Sequence, residues 1–96
     1  MILFQPTVLY FVVRTDLPRG RQVAQVVHAA DEWGALHGPQ RGTVIIYAVP
    51  NERALLQAWT SDIVLEDGVL FREPDLGNEA TAFATANGPL KLSLLP

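Results

Sequence analysis

A chain of 96 residues has room for one hydrophobic core, so a single domain spanning residues 1–96 is expected. With 49% apolar and 18% charged residues it is too hydrophobic for a disordered chain, and the lack of cysteine excludes disulfides, thiolate metal sites and thiol nucleophiles. The net charge of −3 argues against a general nucleic-acid coat, but residues 1–50 set four arginines against three carboxylates while residues 51–96 set three cations against seven, so an anion site belongs in the first half.

The opening residues are apolar but include Gln5 and Pro6, carry no basic leader, and meet Arg14 well short of a bilayer span. They read as a buried strand in a cytoplasmic protein. Thr7 to Val13 is a β-branched and aromatic run without polar interruption, the pattern of a strand covered on both faces and central in its sheet. Leu17-Pro-Arg-Gly20 breaks that pattern, with Gly20 suited to a tight turn. A helix is then expected from Arg21 to Trp33. Helical spacing puts Val23, Val26, Val27, Ala30 and Trp33 on one side and Arg21, Gln25, His28 and Glu32 on the other.

Gly34, Gly38 and Pro39 end that helix, and Thr43 to Val49 repeats the buried-strand pattern. Strand, helix and strand form a right-handed βαβ unit with the two strands parallel. Asn51 suits an N-cap for a shorter helix through Leu55, Leu56, Ala58 and Trp59 to near Ser61. Glu66-Asp-Gly68 reads as a turn, Val69 to Glu73 as a strand, Pro74 to Asn78 as a loop and Ala80 to Ala86 as the antiparallel return strand. Asn87-Gly-Pro89 turns the chain into an extended tail, Leu90 to Leu95. The expected fold is α/β, a mixed four-stranded sheet flanked by helices in the order β-α-β-α-β-β. Trp33 and Trp59 read as core residues, with a homodimer contact through either as the alternative.

Two stretches carry candidate chemistry. From Arg14 to His28 a short loop leads into a helix whose first N–H groups point outward with partial positive charge, and Arg19 and Arg21 add cations suited to phosphate. The alternative is that both arginines are solvated surface charges. His28 shares a helix stripe with Gln25 one turn earlier, either as a proton carrier or as an exposed residue without a role. The two histidines have no metal-ligand spacing, which argues against zinc. The second stretch, Glu73-Pro-Asp-Leu-Gly-Asn-Glu79, crowds three carboxylates and the amide of Asn78 between two strands. Carboxylates held close together can create a general base, with Thr81 in the next strand orienting a water or an ester oxygen. An acidic hairpin loop is the plain reading, and magnesium bound there a weaker option.

Taken together, Val12-Val-Arg-Thr-Asp-Leu17, Gly20-Arg21, Ala24-Gln25 and His28-Ala-Ala30 resemble the opening of the peptidyl-tRNA hydrolase 2 family. In that family a strand ends in R-x-D-L and a helix carries G-K-x-x-A-Q-x-x-H-A. The likeness continues through Val44 to Pro50, Asn51 to Leu56, Phe71 to Glu79, Thr81-Ala82 and Gly88 to Leu92, which resemble the short bacterial branch. The resemblance implies hydrolysis of the ester linking a peptide to the 3′ end of tRNA, with no redox cofactor. It casts His28, Asp75 and Thr81 as catalytic, with Asp75 positioning or deprotonating water. Arg19, Arg21, Gln25, Asp16 and Asn78 become the substrate-binding set, with Arg21 where the family usually has lysine. The region after Asp75 is shorter than in the family, and the helix before the final L-K-L strand is missing. The alternative is therefore a catalytically inactive module of the same fold that binds a partner protein or a nucleotide.

Overall fold

The structure, a computed structural model, describes residues 8–39 and 42–96, apart from the side chain of Asp62. The strand start expected at Thr7, and the apolar residues before it, lie outside the described residues. The elements are β1 (Val8–Arg14), α1 (Arg19–His37), β2 (Thr43–Val49), α2 (Glu52–Trp59), α3 (Asp62–Asp67), β3 (Val69–Glu73), a 3-10 turn (Pro74–Leu76), β4 (Glu79–Thr85) and β5 (Ser93–Leu94). They build a mixed α/β fold around one sheet of order β3-β4-β1-β2-β5. The apolar run of β1 takes the middle position, parallel to β2 and antiparallel to β4. β3 and β4 form the expected antiparallel pair.

The period-2 alternation of β1 divides the core in two. Leu9, Phe11 and Val13 pack with Ala29 and Trp33 of α1 on one face, while Tyr10 and Val12 pack with Leu55 of α2 and Val64 of α3 on the other. Both tryptophans face the core, Trp33 fully buried and Trp59 tilted against Phe83 with ring centroids 5.5 Å apart. Among the described residues no helix is long and apolar enough to cross a membrane.

Several expectations need correction. The sheet has a fifth strand, because Leu95 N–H donates to the Ile46 carbonyl and Ser93–Leu94 zip onto the outer edge of β2. The first helix begins at Arg19 and runs through Gly34 to His37, whose ring stacks on Trp33 at 3.9 Å. Gly20 lies inside it, and Gly38, at φ 89°, supplies the left-handed stop. Glu66 and Asp67 end a helix, α3, rather than forming a turn: Asp67 accepts hydrogen bonds from the Thr85 hydroxyl and from Ala86 N–H, which fixes α3 to the end of β4. Asn51 caps α2 as expected, its side chain accepting from Ala54 N–H at 2.9 Å.

The largest correction concerns the face α1 presents. Gln22, Gln25, Ala29 and Trp33 point into the protein, whereas Val23 and Val27 stand 58% and 59% exposed. The helix is turned so that two glutamines enter the interior.

Gly68 shows how closely the helix layer packs. A Cβ there would lie 2.5 Å from the Val64 carbonyl oxygen and 2.6 Å from the Trp59 ring. Gly68→Ala is expected to destabilise the fold by about 1–3 kcal/mol through overpacking. Gly20→Ala, with nothing within 4 Å of the new methyl group, should stabilise it. Urea unfolding of the two variants checks the contrast.

Candidate functional site

The strand pairing gathers the two candidate stretches at one end of the sheet. Val13 of β1 faces Ala82 of β4, and Glu73 of β3 faces Glu79 of β4. The end of β1, the start of α1, the end of β3 and the start of β4 therefore meet. The α1 N-terminus has no side-chain cap, and its first hydrogen bond to the preceding loop runs from Gln22 N–H to the Pro18 carbonyl. The earlier amides and the exposed side chains of Arg19 and Arg21 form a cationic rim.

Beneath that rim lies a buried polar network. The Thr81 hydroxyl donates to Gln25 Oε1 at 2.8 Å, and Gln25 Nε2 donates to Glu73 Oε1 at 3.2 Å. Arg21 Nη1 stands 3.9 Å from the same carboxylate oxygen. A register shift between Phe71 and Arg72 makes this possible, because Phe71 pairs with Ala82 and Arg72 with Ala80, leaving Thr81 as the extra residue of a β-bulge. Strict alternation would send Thr81 to the face of Phe83. The bulge turns it toward α1 and sends Ala80 to the α2 side instead.

The backbone groups released at the bulge are taken up by side chains. Glu52 of α2 accepts from Ala80 N–H at 2.7 Å, and Arg14 Nη1 donates to the Ala80 carbonyl at 3.1 Å. Arg14 also forks onto Asp16, Nε to Oδ1 at 2.9 Å and Nη2 to Oδ2 at 2.8 Å, and reaches Glu79 Oε1 at 2.7 Å. The hydrogen bond to Asp16 pushes the guanidinium pKa further up against the cost of its burial, with Glu79 adding to the effect. The same bond holds the Asp16 carboxyl below its ordinary 3.8. Gln22 fastens the intervening loop by donating to the Leu17 carbonyl at 2.7 Å and the Thr15 carbonyl at 3.4 Å.

The eight residues singled out in the sequence fall into distinct settings. Arg21, Gln25 and Thr81 are joined through Glu73. Thr81 is 0% exposed, so its hydroxyl orients Gln25 and offers no atom to solvent. His28 lies one turn beyond Gln25, exposed, with its ring stacked on Phe71 at 4.8 Å. Asp75 sits exposed on the 3-10 turn with no side-chain hydrogen bond or ion pair among the described residues. Arg19 is exposed at the first position of α1. Asp16 is committed to Arg14. Asn78 adopts φ 64° and contributes its backbone, donating N–H to the Glu73 carbonyl and accepting from Arg72. Among the described residues no three His, Asp or Glu side chains gather where one metal ion could be held.

Arg14, Glu52 and Gln22 were missed as members of the site. The only sequence signal for any of them was an arginine two residues before an aspartate at a strand end, a spacing that suits a bidentate fork. Neither a family model nor a curated protein matches the chain.

Gln25→Leu strips Thr81 of its acceptor and Glu73 of a donor, and is expected to cost about 1–3 kcal/mol. Adding Thr81→Val should recover part of that loss, because an apolar pair leaves no buried hydroxyl unpaired. Strict additivity in a double-mutant cycle would dismiss the network. Asp16 supplies an acid-side signature. Its depressed carboxyl contributes stability that is complete above the ordinary 3.8 and is lost as pH falls through the lower folded-state value. Asp16→Asn should flatten that part of the acid slope in urea midpoints, a modest effect because the Asp16 carboxylate is partly exposed.

Proposed function

We propose that this chain is a peptidyl-tRNA hydrolase of the type 2 family, acting in the recycling of tRNA and cleaving the ester between a peptide and the tRNA 3′ end. The observation that carries the reading is the meeting, at one end of the sheet, of a cationic helix start and an acidic strand end. An ester at the end of a polyanion needs both: a phosphate anchor and a carboxylate that handles water.

Arg19 and Arg21, with the uncapped amides of α1, suit a phosphate of the acceptor end. Arginine keeps its charge at any working pH and grips phosphate by a planar fork, so its place at a position usually held by lysine preserves binding. Glu73 stands beside the Arg21 guanidinium, and Gln25, oriented by Thr81, holds Glu73 from below. Asp75 has free lone pairs with which to position or deprotonate the attacking water. His28, one turn beyond Gln25 on α1 and stacked on Phe71, would hydrogen-bond the attacked carbonyl. Thr81 contributes as a positioning residue.

The complete burial of Thr81 favours a second reading, an inactive module that holds the tRNA end, another nucleotide or a partner protein without turnover. A hydrolysis assay on purified peptidyl-tRNA separates the two. Under the first reading Asp75→Ala lowers kcat by about 10²-fold or more, and Arg21→Glu raises KM with a smaller effect on kcat. Binding of tRNA with no hydrolysis above the blank identifies the module. Equal turnover by wild type, Asp75→Ala and His28→Ala removes the enzyme assignment.

A further inference from the structure

The face of the sheet opposite α1 carries a hollow that the proposed reaction does not use. After β4 the chain turns at Asn87-Gly88-Pro89 and runs past α2 toward β5, and it is pinned at both ends of this passage. Asn87 Nδ2 donates to the Ile63 carbonyl at 3.1 Å, and Leu90 N–H donates to the Tyr47 hydroxyl at 3.1 Å. The Tyr47 ring is stacked on Tyr10, and Gly88 lies so close to Tyr10 that a Cβ would come within 2.5 Å of its ring. The passage is therefore a fixed wall, braced by two core tyrosines.

Between this wall and the α2–α3 corner is a concavity of about 350 Å³. Ala58, Ile63, Leu90 and Leu92 give it an apolar lining, with Ser61 and Lys91 its polar side chains. A second, wider depression of about 710 Å³ shares Ala58, Lys91 and Leu92 with it and continues to Gln57 and Ser93. The two form one groove with Lys91 at the junction. No described carboxylate lines either part, although residues 51–96 hold seven of them. Lys91 makes no ion pair or side-chain hydrogen bond among the described residues, so the one described charge facing the groove is an uncompensated cation.

We propose that this groove binds a small amphipathic carboxylate, with its anionic head on Lys91 and its acyl or aryl body in the hollow. The size is at the lower end of small-ligand pockets, and a mostly apolar lining with few convergent polar groups is the usual composition of such sites. Charge complementarity selects the ligand. An apolar body is accepted by the walls, a cationic head is repelled by Lys91, and a neutral head leaves the ammonium group without a partner. None of the residues lining the groove belongs to the set assigned to the α1 end, and binding there does not depend on hydrolysis.

The test uses the full chain labelled with ¹⁵N and titrated with octanoate, octanol and octylamine. Octanoate should give saturable amide shift changes in Ala58, Ser61, Ile63, Gly88 and Leu90 to Ser93, with octanol weaker and octylamine without effect. Lys91→Glu, an exposed substitution, should weaken octanoate by about tenfold, the scale of one charge-assisted contact. Asp75→Ala should bind octanoate as wild type does. The proposal is overturned if octanoate gives no saturable shifts, if octanol binds as tightly as octanoate, if Lys91→Glu leaves affinity unchanged, or if the shifts centre on Arg19 and Arg21.

Discussion

Arg14 enters the interior at the end of the central strand, and the arrangement of the whole site depends on where its guanidinium goes. Its donors hold Asp16 in the loop to α1, Glu79 at the start of β4 and the carbonyl of Ala80. One cation thus ties the end of β1 and the loop that follows it to the start of β4, a segment remote in sequence. Lysine could not do this, since it lacks the planar fork that serves Asp16 with two donors while a third reaches across to the next strand. Removing a partner from so well-connected a charge leaves a guanidinium buried and undersupplied, which costs more than the pair itself contributes.

From that anchor the bulge follows, and from the bulge the orientation of α1. With Ala80 N–H held by Glu52 and its carbonyl by Arg14, the ladder between β3 and β4 is free to slip by one residue without leaving backbone groups unpaired. The slip sends the Thr81 hydroxyl toward the helix layer. A helix laid on that face with valines inward would leave the hydroxyl and the Glu73 carboxylate facing aliphatic carbon. α1 instead turns Gln25 inward, satisfying both groups with one amide, and leaves Val23 and Val27 to solvent.

This chain of causes marks how far the sequence could be read. Elements whose patterns are internally complete were legible: β2 and β3 run between the residues the pattern names, Asn51 caps α2, and the uninterrupted apolar run of β1 holds the middle of the sheet. Elements that exist because of a distant partner were not. α3 is six residues long and is fixed by Asp67 receiving Thr85 and Ala86 from β4, while β5 has two residues and needs the open edge of β2. Hydrophobic periodicity misplaced the face of α1 because it counts apolar residues and cannot know that the opposing sheet presents a hydroxyl and a carboxylate. The candidate site was legible as two stretches of the right character. That they meet follows from strand order, and apart from the spacing of Arg14 and Asp16, that Arg14, Glu52 and Gln22 belong with them follows only from the folded arrangement.

The gathering of acidic residues at this end also sorts itself by occupation. Asp16 and Glu79 accept from Arg14, Glu73 accepts from Gln25, and Glu52 accepts from Ala80 N–H. Each of these carboxylates has lone pairs engaged in holding the loop, the bulge or the helix, and moving any of them toward a ligand would release a group it now satisfies. Asp75 alone among the five has no such duty among the described residues. It stands on a 3-10 turn two residues beyond Glu73, with Gly77 at φ 64° closing the turn behind it. The burial of Glu73 and the exposure of Asp75 are thus two sides of one arrangement: the strand ends in an acid fixed to the helix, and the turn that follows lifts a second acid clear of it. Under the proposed reading the carboxylate that meets substrate at this end of the sheet is Asp75, the one of the five with no partner among the described residues.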